Sequence, residues 1–273
     1  MTINTVMVHV DVNDKTEHHV RLARCVADKF GASIIGVSAF AIEPPFISEG
    51  VVIKEMTEDD VERMKTALAA KGAWLQNVGG IQKEKFEWRW GVEYPTVFLV
   101  NETRAADIVV VKRRQQKVDA FNLIDPAEVM LRAGRPTLFV PDQVADLVAD
   151  RIVVGWKDTR EARIAVRDAL PFLEKASQVT LVEICKADEQ DDARHRLRDV
   201  ARYLQHHGVK CRHEVRVYMH ETDARHLIRL AKEESADLIV AGGYGHSRLG
   251  EWVFGGMTKG LLDEAPVCLL MSH

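Results

Sequence analysis

The feature that most constrains the fold of this sequence is an alternation of short apolar runs with helical stretches, and this pattern occurs twice along the chain. Runs such as residues 6–10 and 108–111 have the length of β-strands, and the stretches between them place apolar residues at helical spacing. Because the runs are almost continuously apolar, both faces of each strand must be covered. The sequence therefore predicts an α/β protein with parallel strands between layers of helices.

The two passes can be aligned by the proline that precedes the last predicted strand of each. Pro136 and Pro266 lie 130 positions apart, and the same separation relates Asp107 to Asp237 in front of the preceding strands. Between these markers the two halves have equal length. An internal repeat of this size predicts two tandem domains. We place them at residues 1–145 and 146–273.

The first half carries an additional segment, residues 41–56, that has no counterpart in the second half. It contains Pro44, Pro45 and Gly50, which favour an irregular path over the surface. The segment is apolar for a loop, with Phe46 among its side chains. We expect it either to be a plain surface loop, or to line a second cavity or pack at a subunit contact.

The most distinctive stretch of the second half, residues 237–258, combines a buried-strand run with a series of glycines and the start of a helix. Glycine lets backbone N–H groups approach a ligand closely, and the first turn of a helix carries unpaired donors and partial positive charge. The pattern favours a phosphate site. The alternative is a flexible surface loop followed by a helix cap. The glycines are Gly242, Gly243, Gly245, Gly255 and Gly256.

The equivalent stretch of the first half lacks these glycines. Asp125 would repel a phosphate there, and Pro126 has no N–H to donate to one. Since the first half connects its strands without them, we expect that the glycines of the second half are surplus to folding, that is, not required for it, and that they bind a ligand instead. The aligned pairs are Gly242 with Lys112, Gly245 with Gln115, Gly255 with Asp125, and Gly256 with Pro126.

Composition limits the class of partner. The chain has 37 Lys and Arg against 41 Asp and Glu, so its net charge of −4 provides no overall basic field, and we expect no nucleic acid. Its apolar runs are much shorter than the roughly 20 residues of a membrane helix, and we expect no membrane association. The first residues lack a basic leader and a long apolar region, which predicts a cytoplasmic protein.

With these residues in view, the chain resembles a tandem universal stress protein. Gly242 and Gly245, followed after nine residues by Gly255, match the spacing of that family's glycine signature. The resemblance covers nearly the whole chain and implies two Rossmann-like domains, each a doubly wound sheet of five parallel strands. It also implies that ATP, with or without magnesium, lies over the strand ends where the strand order reverses.

The resemblance assigns nucleotide-binding roles to positions of the second half. Ile184 matches a position that packs on adenine, and Lys157 stands where the family usually has an acidic residue, with Asp158 next to it as an acceptor. Gly256 stands where a Ser or Thr is usual, and Thr258 is expected to supply the hydroxyl. The first half is expected to bind no nucleotide. The nucleotide-binding set is Gly155, Trp156, Lys157, Asp158, Ile184, Gly242, Gly243, Gly245, His246, Ser247, Gly255, Gly256, Met257 and Thr258.

No catalytic or metal constellation is visible in the sequence. The histidine pairs at residues 18–19 and 206–207 lack ligand spacing, and the Walker-type phosphate loop with its lysine is absent. We therefore expect a bacterial stress-response protein that binds one adenine nucleotide as a regulatory module, and at most a slow ATPase. The alternatives are a module for another small molecule or a lipid, a slow ATPase or phosphotransferase, and a pure interaction protein. A homodimer or an unidentified protein partner stays open.

Overall fold

The computed structural model describes residues 2–12, 18–48, 51–113, 121–217, 222–244 and 256–273. Within these residues, ten strands form one sheet, two further strands form a separate hairpin, and there are eight α-helices. None of these helices has both the length and the apolar composition needed to cross a bilayer.

The first half contains seven of the strands and four of the helices, and its five sheet strands fall where the sequence predicts them. Thr57 caps the second helix as expected, since its hydroxyl accepts the N–H of Asp60 at 3.2 Å. In chain order, the elements are β1 (Thr5–His9), α1 (His18–Phe30), β2 (Ser33–Phe40), β3 (Phe46–Ser48), β4 (Val51–Lys54), α2 (Glu58–Gly79), β5 (Phe86–Val92), α3 (Pro95–Glu102), β6 (Ile108–Lys112), α4 (Pro126–Arg132) and β7 (Thr137–Val140).

The second half contains five strands and four helices in the predicted order. Thr159 and Thr222 cap two of the helices through their side-chain oxygens. In chain order, the elements are β8 (Arg151–Trp156), α5 (Arg160–Leu173), β9 (Gln178–Cys185), α6 (Gln190–His206), β10 (Cys211–Val217), α7 (Asp223–Glu233), β11 (Leu238–Gly242), α8 (Gly256–Glu264) and β12 (Cys268–Ser272).

The strand order of the sheet is β5-β2-β1-β6-β7-β12-β11-β8-β9-β10. Within each half all neighbouring strands are parallel, and both halves follow the same order. The order reverses between β1 and β6 in the first half and between β8 and β11 in the second. Such reversal points leave a crevice at the carboxyl ends of the strands, which is where open α/β sheets bind ligands.

The two halves are joined by β7 and β12, which pair antiparallel at the centre of the sheet. Phe139 and Leu269 are partners in this register, and they lie 130 positions apart, the separation that relates Pro136 to Pro266. This one pair of equivalent residues therefore faces across the join, and the pairs beyond it are offset in opposite directions along the two strands. Because the join is antiparallel, the carboxyl ends of the two sets of strands lie at opposite edges of the sheet.

Two large apolar cores cover the sheet, one on each face, and each contains residues of both halves. The rings of Phe30 and Phe172, one from each half, meet edge to face with their centroids 4.9 Å apart. The Nζ of Lys175 donates to the carbonyl of Lys29 at 2.6 Å beside them. The halves are thus packed together through both cores as well as through the strand pairing.

The prediction that residues 41–56 are irregular is wrong in part, because β3 and β4 pair there as an antiparallel hairpin. The β-branched residues of β4 favour a strand once a partner is near. Ile42 and Phe46 are more than half exposed. The expectation of a cavity or subunit contact at this segment stays a prediction.

Candidate nucleotide cleft

A cleft of about 320 Å³ opens in the second half at the carboxyl ends of β8, β9 and β11. The first residues of α5, α7 and α8 complete its walls. It lies at the reversal point between β8 and β11, where the topology predicts a ligand. Eight of the residues assigned to nucleotide binding line it: Gly155, Trp156, Lys157, Ile184, Gly242, Gly256, Met257 and Thr258.

The base of the cleft depends on the close approach of β11 to α5. A Cβ on Gly242 would lie 2.6 Å from the backbone nitrogen of Ala162 and 2.7 Å from the carbonyl carbon of Glu161. A Cβ on Gly243 would lie 2.4 Å from the sulfur of Met130, which belongs to the first half. The expectation that these glycines are surplus to folding is therefore wrong for Gly242, because a side chain there would collide with the backbone of α5, whereas at Gly243 only the flexible end of the Met130 side chain would have to move.

Among the described residues of this loop, positive φ is found at one that is not a glycine. Tyr244 has φ 48°, in the left-handed region that non-glycine residues adopt infrequently. Its backbone N–H donates to the hydroxyl of Thr258 at 3.1 Å. Burial first, and then the negative charges of Asp125 and Asp263, raise the pKa of Tyr244 to about 12. Tyr244 is thus a neutral side chain at the wall of the cleft at physiological pH.

The helix α8 begins at the opening of the cleft. Gly256, its first residue, is exposed, and a Cβ there would meet no atom within 4 Å. Thr258 is buried, and its hydroxyl accepts the N–H of Tyr244, which leaves its own proton free to be donated elsewhere. The helix start therefore combines open space at Gly256 with the partial positive charge of a helix N-terminus.

The other end of the cleft contains Lys157 and Ile184. The Lys157 side chain is exposed and lines the opening, whereas Ile184 packs against the core with part of its surface facing the cleft. Asp158 does not line the cleft, and its carboxylate instead pairs with the guanidinium of Arg163 at 3.1 Å. The structure therefore brings Lys157 to the site but not its acidic neighbour.

Besides Asp158, five more of the assigned residues are not among those that line the cleft. Gly243 is buried against Met130 as described above. The remaining four lie outside the described residues, so their assignment stays a prediction: Gly245, His246, Ser247 and Gly255.

Sequence reasoning missed several residues that line the cleft because they precede or begin helices rather than glycine motifs. Glu161 is almost fully buried in the first turn of α5, and Asp223 is the first residue of α7. In a parallel α/β sheet the helices begin at the edge where the strands end, so the first residues after a predicted helix cap would have been a usable signal. The missed residues are Thr159, Glu161, Ala162, Val182, Asp223, Leu227, Ala241 and Tyr244.

In the first half, a carboxylate lies at the helix start that corresponds to the start of α8. The carboxylate of Asp125 accepts the backbone N–H groups of Ala127 and Glu128 at 2.9 and 3.2 Å. The side chain thus occupies the donors at the start of α4 that would otherwise be open to an anion. Asp11 is buried, and the Nζ of Lys71 donates to its carbonyl at 2.7 Å.

No group of three or more potential metal ligands is found within the described ranges, which omit residues 114–120 and 245–255 among others.

Comparisons with known proteins agree with this architecture. The model of the universal stress protein family matches residues 148–273. No curated protein matches the chain significantly. Among solved structures, a universal stress protein from Archaeoglobus fulgidus DSM 4304 is 12% identical with a TM-score of 0.70, covering 98% of this chain and 96% of its own.

Two other solved structures are similar. A functionally unknown protein from Pseudomonas aeruginosa PAO1 is 11% identical with a TM-score of 0.59, covering 99% of this chain and 92% of its own. A universal stress protein in complex with cAMP is 22% identical with a TM-score of 0.38, covering 51% of this chain and 98% of its own. The structures with TM-scores of 0.70 and 0.59 share their fold with this chain along its whole length. The similarity to the universal stress protein family at the level of sequence is confined to residues 148–273.

Proposed function

We propose that the chain binds one adenine nucleotide, ATP, in the cleft of its second half, and that it acts as a cytoplasmic binding and regulatory module of the stress response rather than as a fast enzyme. Residues 146–273 form the binding domain, and residues 1–145 form a supporting domain without nucleotide. The observation that carries the proposal is the open start of α8, at Gly256, on a cleft at the reversal point of the sheet.

The volume and lining of the cleft support a small-molecule ligand. Its volume of about 320 Å³ lies at the lower end of the range of roughly 300–1,000 Å³ that is usual for ligand pockets. Apolar side chains such as Ile184 and Leu227 can contact a base, while the helix start and Lys157 provide positive charge for phosphates. The cleft thus offers surfaces for both the apolar base and the charged phosphates of a nucleotide.

The first half supports the cleft rather than duplicating it. Met130 of α4 packs under Gly243, and Asp125 lies close enough to Tyr244 to raise its pKa. Because Asp125 already caps α4, the first half has no open helix start at the equivalent position. This asymmetry supports a stoichiometry of one nucleotide per chain.

Isothermal titration of the full chain with ATP, with and without magnesium, tests the proposal, and cAMP serves as a comparison ligand. We expect one site per chain. At one hundred times the dissociation constant, ATP should stabilise the fold by about 2.7 kcal/mol in a thermal melt. The absence of heat and of any melting shift at millimolar ATP and cAMP would refute nucleotide binding.

A gain of affinity at Gly256 provides the sharper test, because misfolding cannot produce it. Gly256→Ser places a hydroxyl at the start of α8, where a Cβ has open space. One added hydrogen bond to a charged phosphate contributes about 1.5 kcal/mol, which corresponds to roughly tenfold tighter binding. Gly256→Ala adds the same Cβ without the hydroxyl and should bind ATP within about threefold of the parent. Equal affinities for the two variants would show that no phosphate lies at this helix start.

A further inference from the structure

Among the described residues that line the nucleotide cleft, two carry carboxylates to which the proposed function gives no role. They are Glu161, in the first turn of α5, and Asp223, the first residue of α7. Glu161 is 1% exposed, and its Cβ lies 3.0 Å from the position that a Cβ on Gly242 would take. Asp223 is partly exposed, and because its Oδ1 is buried, Oδ2 is the oxygen that a ligand would contact. Asp223 is therefore the carboxylate available to a ligand in the cleft.

Two close contacts place the start of α7 between the apolar surface of the cleft and α8. On one side, Leu227 packs on β8, where a Cβ on Gly155 would lie 2.7 Å from its Cδ2. On the other side, Ala224 packs on α8, where a Cβ on Gly260 would lie 2.6 Å from its Cβ. Asp223 precedes Ala224 and lies one helical turn before Leu227. Its side chain is thus next to the surfaces on both sides.

The start of α7 is held in place by side-chain contacts. The hydroxyl of Thr222 caps the helix by accepting the N–H of Arg225 at 3.5 Å. The guanidinium of Arg225 in turn donates to the carboxylate of Glu264 of α8 at 2.8 Å. The partial positive charge of the helix start also stabilises a carboxylate at the first position. Asp223 therefore lies at the start of an ordered helix, as a residue that recognises a ligand requires.

The ribose is the part of a nucleotide that joins the base to the phosphates, and its free hydroxyls donate hydrogen bonds. A base in contact with Ile184 and Leu227, with phosphates at the start of α8, would bring its ribose to the start of α7. An ionised carboxylate only accepts hydrogen bonds, and its lone pairs allow it to accept hydroxyls in addition to protein donors. Acidic side chains accept ribose hydroxyls in the same way in dinucleotide-binding folds.

We propose that the carboxylate of Asp223 accepts hydrogen bonds from the ribose hydroxyls and so selects ribonucleotides against deoxyribonucleotides in this cleft. This inference rests on the proposed function and adds to it a specificity for the sugar. Asp223 contacts the ligand through Oδ2, while Ile184 and Leu227 contact the base and the start of α8 contacts the phosphates.

Two nucleotides that differ only in the ribose hydroxyls test the inference on the full chain. ATP carries both hydroxyls, and 2′,3′-dideoxy-ATP lacks them. Isothermal titration with each nucleotide, in the presence of magnesium, gives the ratio of their dissociation constants. A hydrogen bond to a charged group corresponds to about tenfold in affinity or more, so we expect the dideoxy nucleotide to bind at least about tenfold more weakly.

Variants assign this preference to one side chain, because the ratio cancels effects that weaken or strengthen both nucleotides equally. In Asp223→Ala the two nucleotides should bind within about threefold of each other. Asp223→Asn keeps an acceptor oxygen without the charge, and should retain a smaller preference because neutral hydrogen bonds are about half as strong. Asp191→Ala is the matched control, since it removes an exposed carboxylate on α6 and should keep the ratio of the parent.

The possible failures are distinguishable. If neither nucleotide binds, the proposed function is refuted and the inference falls with it. If the parent binds both equally, nucleotide binding stands, but the hydroxyls are not recognised and the inference is overturned. A ratio that stays unchanged in both Asp223 variants would place the hydroxyls at another residue. Loss of the ratio in Glu161→Gln, with retention in Asp223→Ala, would assign them to Glu161.

Discussion

Replacing two glycines of the same loop by alanine should change stability in opposite directions. A Cβ on Gly242 would lie 2.6 Å from the backbone nitrogen of Ala162, about 0.8 Å closer than an ordinary contact. That neighbour belongs to the first turn of α5 and cannot rotate away, so β11 or α5 must shift. Overpacking of this kind costs about 1–3 kcal/mol. Gly256 has open space and no left-handed φ, so alanine there should stabilise by about 0.4–1 kcal/mol through the unfolded state.

Thermal melts followed by far-ultraviolet circular dichroism measure this difference without ligand. For a chain of this size, 1 kcal/mol corresponds to roughly 2–4 °C in Tm. Gly242→Ala should therefore lower Tm by several degrees, and Gly256→Ala should raise it by up to about 4 °C. The close approach of β11 to α5 would be refuted by a Gly242→Ala variant as stable as the parent. A Gly256→Ala variant that is equally destabilised would show that the helix start is packed rather than open.

Two further predictions concern buried groups. Arg196 forms hydrogen bonds to the carboxylate of Glu183, which is 4% exposed. Arg196→Met leaves this buried charge without its partner, so it should lower the free energy of unfolding by about 3 kcal/mol, as urea unfolding would measure. Arg194→Met, which loses an exposed ion pair with Asp191 and an exposed hydrogen bond to Gln190, should cost about 1 kcal/mol or less, and equal costs would contradict the argument. Burial raises the pKa of the Cys268 thiol to about 12, so at pH 8 only about one thiol in ten thousand is ionised. Iodoacetamide should therefore label the partly exposed Cys211 well before Cys268, as peptide mass spectrometry would measure, and comparable labelling rates would show that this strand opens.

The strands and helices of each half could be predicted because their signals are local. The strand predicted at residues 151–156 is observed as Arg151–Trp156, since a continuous apolar run bounded by polar residues depends on no distant contact. The hairpin of β3 and β4 was missed, because Pro44 and Pro45 indicate an irregular path and the pairing requires a second strand. The join of β7 to β12 could not be predicted, since no local pattern specifies pairing between strands 130 residues apart.

The positions of cleft residues that directly follow strands could be predicted from the sequence. Positions that depend on contacts between distant elements could not. Lys157 and Ile184 line the cleft at the edge of the sheet, as their positions after or at the end of buried strands predict, and their roles toward a nucleotide stay predictions. The packing role of Gly242 could not be predicted, because the atoms that exclude a Cβ there belong to α5, which is distant in sequence. Asp158 was expected in the site, but its side chain turns outward to Arg163.

The antiparallel join has a consequence for how the two halves can diverge. Because Phe139 faces its equivalent Leu269, the contact has the geometry of a twofold-symmetric dimer interface, here contained within one polypeptide. In a dimer of identical subunits, every substitution appears on both sides of the axis. In the fused chain a residue such as Asp125 can be present in one half alone, while the shared cores still hold the two halves together. Fusion thus permits one half to give up ligand binding and become the scaffold for the other.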